Sequence, residues 1–336
     1  MTPFAYTRAQ DPADALAQLT PGSHFLAGGT NLLDLMKLGI ARPAQLVDIN
    51  RLPLDRIEET GAGGLRIGAM VRNSDLASHP LIRARYPFVA QALLAGASGQ
   101  LRNMASTGGN LMQRVRCVYF QDLTTPCNKR DPGSGCPARE GFGRYNAIFD
   151  TDGDCIAAHP SDLCVPLAAL EAVVVVQGHA GERRIPFADF HRLAGDTPER
   201  DSTLAEDELI LAVELPALPF AARSHYRKIR ERASYAFALV SVAAALEMRD
   251  GVVQDVRLAL GGVSHRPHRA KLAEAALRGQ PATRESFLAA IEAELAPARV
   301  TEANAYKLPM LRNAVVAVLA DLAGLGEIGL GEGVRP

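Results

Sequence analysis

Tryptophan is absent from the 336 residues, and tyrosine and phenylalanine are sparse at 7 and 11. Single-stranded nucleic acid is held largely by stacking bases on aromatic faces, so this chain is poorly equipped for that task. Neither sign of charge is in excess, since 36 Lys and Arg against 37 Asp and Glu leave a formal net charge of −1. That balance argues against a nucleic-acid binder that works by charge alone, a disordered charged tail and a supercharged surface. Long apolar runs are missing as well. Stretches such as Ala172 to Val176 and Ala314 to Ala320 fall far below the ~20 residues that a bilayer requires, and no membrane span is expected. Met1 to Ala15 shows no basic start followed by an apolar run, so no secretory signal is read here. Export with a partner's signal and a cytoplasmic location both stay open.

What is present is ordinary globular composition, 48% apolar and 22% charged, in a chain long enough for two domains at roughly 150 residues each. Asp11-Pro12 starts a helix over Ala13 to Leu19, and His24 to Ala27 reads as a strand leading to a helix over Asn31 to Leu38 that Gly39 ends. A strand over Gln45 to Ile49, a hairpin of Arg56 to Glu59 with Leu65 to Gly68, and a helix over Leu81 to Leu94 follow. Regularity then disappears from Gln113 to Asp154 and resumes with a helix over Val165 to Leu170 and strands over Ala172 to Gln177 and Glu208 to Leu215. Composition shifts near Pro216 to Ala222. Beyond it Ser224 to Ile229, Ala236 to Met248 and Val252 to Leu260 read as antiparallel strands, the last two joined by an Asp250-Gly251 turn. Helices are expected over Arg269 to Leu277, Arg284 to Leu295 and Leu308 to Leu325.

Two glycine pairs lie at element junctions. Gly28-Gly29 sits between a strand and a helix in Phe25-Leu26-Ala27-Gly28-Gly29-Thr30-Asn31-Leu32-Leu33. Its backbone can approach a ligand closely, and free N–H groups at a helix start attract an anion such as phosphate. The spacing matches neither G-x-G-x-x-G nor a Walker A loop. The second pair ends Ser106-Thr107-Gly108-Gly109-Asn110, whose hydroxyl and amide groups suit a polar ribityl and pyrophosphate chain. Two ordinary turns explain the pattern equally well.

The 5 cysteines are more telling, because all lie between positions 117 and 164. An odd count in a long chain fits poorly with a disulfide framework. Thiolates ligate zinc or iron-sulfur clusters, and four per cluster is the usual count. The tight pairs of structural zinc sites are missing, while wide gaps filled with Gly and Pro suit a loop wrapped around a larger object. Cys164 sits in the apolar helical context Leu163-Cys164-Val165-Pro166-Leu167, where cysteine behaves as a small hydrophobe. Cys117, Cys127, Cys136 and Cys155 are therefore the expected ligands. From Arg114 to Arg144, 6 basic residues face 3 acidic ones, an excess that would stabilise an anionic cluster and favour its reduced form. His24, His79, His159 and His225 show no i, i+4 metal pairing and are read as structural.

In this order, these segments resemble the flavin-binding medium subunits of the xanthine dehydrogenase family of molybdenum hydroxylases. The resemblance rests on Leu26 to Leu33, Ala105 to Asn110, His159-Pro160-Ser161-Asp162, Glu208 to Leu211, Tyr226 to Arg230 and Asn304 to Leu311. It implies an α+β chain. Residues 1–220 would form a two-part FAD-binding domain of the PCMH, or vanillyl-alcohol-oxidase-like, type. Residues 222–330 would form an antiparallel sheet with helices, like the C-terminal domain of CO dehydrogenase flavoproteins. In typical members the second glycine loop leads almost directly to the aspartate, whereas here Asn110 and Asp162 stand 52 positions apart. That insertion, at about 113–157, is similar to one in flavin subunits of bacterial periplasmic aldehyde oxidoreductases, and more loosely to one in hydroxybenzoyl-CoA reductases. The likeness implies a 4Fe-4S cluster in it.

By the same resemblance Leu26, Ala27, Gly28, Gly29, Thr30, Asn31, Leu32 and Leu33 would form the first FAD loop, with Gly28, Gly29 and Thr30 at the pyrophosphate. Ser106, Thr107, Gly109 and Asn110 would bind its other flank. Asp162 would bind a ribityl or adenosine hydroxyl, or else cap the following helix. Ile210 would pack on the flavin ring, and Lys228 would approach it, or else lie in solvent at a strand edge. The implied partners are a large molybdopterin-binding subunit that oxidises the substrate, a small subunit with two 2Fe-2S clusters, and an external electron acceptor; no nucleic acid is expected. No catalytic set for aldehyde chemistry is read on this chain. The other readings are the flavin subunit of a xanthine dehydrogenase or hydroxybenzoyl-CoA reductase-like enzyme, a self-contained FAD oxidase, and a non-enzymatic scaffold whose loop holds zinc.

Overall fold

A computed structural model describes residues 1–326 and arranges them around three sheets. The first is a small parallel sheet of β1 (Ala5–Arg8), β2 (Ser23–Leu26) and β3 (Gln45–Asp48) in the order β1-β3-β2. Parallel neighbours need a crossover, and helices Pro12–Ala17 and Leu32–Lys37 supply it between successive strands. The second sheet is antiparallel, with β4 (Ile57–Glu59), β5 (Leu65–Gly68), β6 (Val173–Gly178), β7 (Gly181–Pro186) and β8 (Leu209–Leu215) in the order β4-β5-β8-β6-β7. The third contains β9 (Ser224–Ile229), β10 (Val240–Arg249), β11 (Val252–Gly261) and the short β12 (His268–Arg269), all antiparallel.

Strand β10 explains how the parts join. Its residues alternate between two cores: Val242, Ala244 and Leu246 pack with Phe287, Leu311 and Leu319 of the C-terminal helices, whereas Ala243 and Ala245 pack with Phe88 and Val165 of the preceding part. A strand buried on both faces reads as a continuous apolar run, as Val240 to Leu246 nearly does. The small residues on one face let helix Cys164–Ala169 lie close, and a side chain at Gly261 would stand 2.6 Å from Val165. At the β10–β11 turn, Asp250 and Gly251 have φ of 51° and 73°, the left-handed pair that a two-residue hairpin turn requires.

Several elements depart from expectation. The helix expected over Leu81 to Leu94 is two helices, Pro80–Arg85 and Pro87–Ala95, because Pro87 has no N–H to continue the ladder and forces Tyr86 out of helical geometry. Strand β10 starts at Val240, four residues after the expected Ala236, and the freed segment lines a cleft. Strands β1 and β7 carried no sequence signal strong enough to be read. The end of the expected second domain, 327–330, lies outside the described residues.

The cysteine-bearing segment leaves the second glycine loop and returns to it. Ser161 donates from its hydroxyl to Asn110 Oδ1 at 2.6 Å, so the long excursion begins and ends at one point. Inside it only Val118–Gln121 and Pro137–Arg139 are helical. Tertiary polar contacts hold the rest. Buried Lys129 pairs with Asp201, which also accepts from Arg114 Nε at 2.7 Å. Arg130 donates to the carbonyls of Tyr119 and Phe120. At the far end buried Lys307 donates to the carbonyls of Asn146 and Gly262 at 2.8 and 2.7 Å. Most of the basic residues expected to face a cluster are thus occupied by carboxylates and carbonyls.

His265 anchors the segment too, with Nδ1 2.8 Å from the Ala157 carbonyl and Nε2 3.8 Å from Asp201. Burial, helped by the Lys129 ammonium, depresses this imidazole to about 4. The unfolded chain therefore takes up this proton near pH 6.5, before the folded chain does, and stability falls as pH drops from about 6.5 to about 4. The slope from this residue is roughly 1.4 kcal/mol per pH unit. Urea unfolding of the wild-type chain and of His265→Asn across that window should show the variant with a shallower pH dependence; parallel curves refute the assignment.

Candidate functional site

A cleft of about 600 Å³ opens between the glycine loops and the β9–β10 connection. This is the usual size range for a cofactor site. Thr30, Asn31, Gly109, Asn110, Asp162 and Lys228 all line it, so residues from both expected loops and from two later segments converge there. The run Phe25 to Leu33 is half-buried throughout, with no residue fully withdrawn into the core.

The first loop owes its shape to its glycines. Gly29 has φ +72°, and a side chain on Gly28 would collide with the Met104 carbonyl at 1.9 Å. The close approach that Gly28 permits is thus to the protein's own backbone as well as to any ligand. Arg72 fastens the two loops together, donating to the Met104 carbonyl and to Asn50 Oδ1. Asn50 in turn donates to the Ala27 carbonyl at 2.9 Å.

In the second loop the structure corrects two expected side-chain roles. The Ser106 hydroxyl accepts from Gly109 N–H and caps helix Thr107–Leu111, while the Thr107 hydroxyl donates to the Val71 carbonyl at 3.0 Å. Both residues are buried and outside the cleft lining. Their polar atoms hold the loop, leaving Gly109 and Asn110 to face outward. Ile210 is likewise in the core of the five-stranded sheet and outside the cleft lining. Of the first loop's eight residues, only Thr30 and Asn31 line the cleft.

Asp162 and Lys228 meet directly. Lys228 Nζ lies 2.8 Å from Asp162 Oδ2 and donates to the Ala95 carbonyl, and its side chain is 3% exposed. The solvent-edge alternative for this lysine is therefore excluded: β9 is an edge strand, but Lys228 points inward. The capping alternative for Asp162 also fails, because Ser161 Oγ accepts from Cys164 N–H at the start of the helix. Asp162 Oδ1 instead accepts from the Tyr226 hydroxyl at 2.6 Å. Burial and the adjacent carboxylate push the Tyr226 phenol well above its ordinary range.

Three cleft residues escaped sequence reading as part of this site. Asn73 leaves a buried Oδ1 without a partner at the wall, and Asn146 leaves a buried Nδ2. Arg116 donates to Asn31 Oδ1 at 3.0 Å, stacks on Phe237 and has a buried Nε without a partner. Buried polar atoms are ordinarily paired, so these residues make the wall of the cleft a polar one with hydrogen-bonding capacity to spare. For Arg116 the basic cluster around Cys117 was a signal; for Asn73 and Asn146 there was none.

Cys117, Cys127, Cys136 and Cys155 line one pocket, and Cys164 is not among them. A zinc ion with Zn–S bonds of ~2.3 Å draws its tetrahedral sulfurs to about 3.8 Å apart. Among the described residues, no three of these four thiols come within 4.8 Å of one another. The four thiols are therefore not drawn together as a single tetrahedral ion would draw them. Burial pushes the Cys155 thiol up to about 12, against the pull of Lys129, and raises Cys117 as well. Such thiols stay protonated until a metal centre offsets their charge. Cys117 lines both this pocket and the large cleft, so the two spaces adjoin at this residue.

Residues 2–218 match the FAD binding domain in molybdopterin dehydrogenase, and residues 224–322 match the CO dehydrogenase flavoprotein C-terminal domain. The chain is 50% identical over 325 residues to the FAD-binding subunit of an aldehyde oxidoreductase of Escherichia coli, covering 96% of this chain and 98% of that one. It is 28% identical to the glyceraldehyde dehydrogenase medium chain of Sulfolobus acidocaldarius over 80% of this chain and 78% of that one. Carbon monoxide dehydrogenase from Hydrogenophaga pseudoflava superposes with a TM-score of 0.74 at 28% identity, covering 97% of this chain and 99% of the other. The two matched domains, the near full-length relative and the converging loops agree: the chain belongs to the FAD-binding medium subunits of the molybdenum hydroxylase family, a family of oxidoreductases.

Proposed function

We propose that this chain is the electron-transfer subunit of a heterotrimeric aldehyde oxidoreductase, holding FAD in the cleft and a 4Fe-4S cluster in the cysteine pocket. A large molybdopterin-binding subunit would oxidise the aldehyde, a small subunit with two 2Fe-2S clusters would deliver the electrons, and an external acceptor would receive them. The observation that carries this reading is the shared wall at Cys117, which puts a four-thiol pocket against a cofactor-sized cleft. FAD takes electrons singly from iron-sulfur centres and releases them in pairs, which suits that junction.

This chain's residues bind and orient. The division proposed is a flavin domain over 1–220 and a C-terminal domain over 222–330. Gly28 and Gly29 shape the turn that brings Thr30 to the cleft just before helix Leu32–Lys37, where an anionic pyrophosphate is favoured. Gly109 and Asn110 offer the facing edge, with Asn110 Oδ1 held by Ser161 and Gln113. Lys228 reaches the cleft as half of an ion pair, so it presents a directed N–H donor and not a free cation. Cys117, Cys127, Cys136 and Cys155 are the proposed cluster ligands, and the Lys129 ammonium beside Cys155 offsets part of the thiolate charge.

Metal and flavin analysis of the complex purified under low oxygen tests both cofactors. About four iron in this chain beyond those of the 2Fe-2S subunit, and about one FAD, are expected. Cys127→Ser should remove at least half of this chain's iron while Cys164→Ala leaves it unchanged; equal loss at Cys164 overturns the ligand set. Asp162→Asn, which keeps the shape but leaves Lys228 without its charge partner, should weaken FAD binding by roughly tenfold or more, about 1.4 kcal/mol. Flavin released on denaturation measures it, and unaltered FAD affinity refutes the role. Reduction of the isolated chain by an aldehyde would replace this reading with that of a self-contained oxidase.

A further inference from the structure

His159, Cys164 and His191 come from three separate segments: the return from the cysteine excursion, the first residue of helix Cys164–Ala169, and the end of the turn after Phe190. Among the described residues they are the one trio of His, Cys, Asp or Glu whose ligand atoms all lie within 4.8 Å of one another. All three are buried, at 8%, 0% and 4% exposure.

The nitrogens settle what this cluster lacks. His191 Nε2 lies 2.9 Å from the Leu111 carbonyl, which only accepts, so Nε2 carries the proton and Nδ1 bears the lone pair. That Nδ1 is buried with no partner, and so is His159 Nε2. The rings stand 4.4 Å apart between centroids, and Phe187 and Phe190 pack edge-on to His191. Burial holds His191 at about 4 and His159 well below its ordinary value, so both imidazoles are neutral, the ligating form. Two unpartnered ring nitrogens beside a buried thiol need an explanation, because buried polar atoms are ordinarily paired. A metal-bound histidine typically donates its other N–H to a carbonyl, as His191 does to Leu111.

We propose that His159 Nε2, the Cys164 thiolate and His191 Nδ1 bind one zinc ion, separate from the cysteine pocket. Two imidazoles and one thiolate are a ligand set suited to zinc. Binding replaces the Cys164 proton, which is released, with a zinc–sulfur bond, and a water completes four-coordination. The ion pins the segment that carries Ser161 and Asp162 to the turn after Phe190, and so braces the wall of the cleft. The proposal does not depend on the electron-transfer reading.

The full chain, as purified with its partners, is dialysed against zinc chloride and then against metal-free buffer. Zinc and iron are counted by mass spectrometry, and the zinc absorption edge reports the ligands. About one retained zinc per chain is expected, with two nitrogen neighbours at about 2.0 Å and one sulfur at about 2.3 Å. Cys164→Ala and His191→Phe should each lower zinc at least about fivefold with iron unchanged, and Cys127→Ser should lower iron with this zinc retained. No retained zinc, a shell of sulfur alone, or zinc unchanged in both variants overturns the proposal. The edge spectrum of the wild-type chain decides the matter should a variant fail to fold.

Discussion

Asp162 has two carboxylate oxygens, and strand β9 takes both: Oδ1 from Tyr226 and Oδ2 from Lys228. The geometry of the cleft depends on this joint, because it fastens the segment that returns from the cysteine excursion to the first strand of the C-terminal sheet. A buried ion pair adds little net stability, since desolvating two charges consumes most of their attraction. Losing one partner is another matter and typically costs about 3–5 kcal/mol, because the other charge is left buried and alone. The pair is therefore a device of position. It fixes where two surfaces meet, and the Ala243 and Ala245 face of β10 packs them together.

The same logic governs the long excursion between Asn110 and Ser161. A structureless insertion of such length is uncommon in a compact domain unless something orders it. Here its ends are joined by a single hydrogen bond, its middle by Lys129 and Arg114 on Asp201, and its exit by Lys307 on two or more carbonyls. Buried cations bonded to carbonyls and carboxylates do the ordering that a ladder of backbone bonds does elsewhere. Among the thiols gathered by this scaffold, those of Cys155 and Cys117 are pushed up by burial, which suits them to receiving a metal centre and poorly suits them to free reactivity.

Much of the fold was legible along the chain. The β4–β5 and β10–β11 hairpins, the helices after residue 270 and the family were all readable, because alternation, turn residues and motif order are local properties. Strands β1 and β7 were not. Each is partly exposed and weakly patterned, and β7 is mostly charged or small residues, so only pairing with a neighbour makes it a strand. The single helix expected over Leu81 to Leu94 failed at Pro87, where the rule that proline ends a helix outweighs apolar spacing.

From the sequence alone came the gathering of cysteines, the two glycine junctions and the identity of Asp162 and Lys228 as residues of interest. Only the tertiary structure decided that Ser106 and Thr107 turn their hydroxyls inward, that Asp162 and Lys228 answer each other, that Cys117 lines two adjoining spaces, and that His159 and His191 meet across Cys164. The physical reason is one of range. Periodicity and turn chemistry act over a few residues, whereas these meetings join positions separated by tens of residues, and packing of the intervening segments sets them.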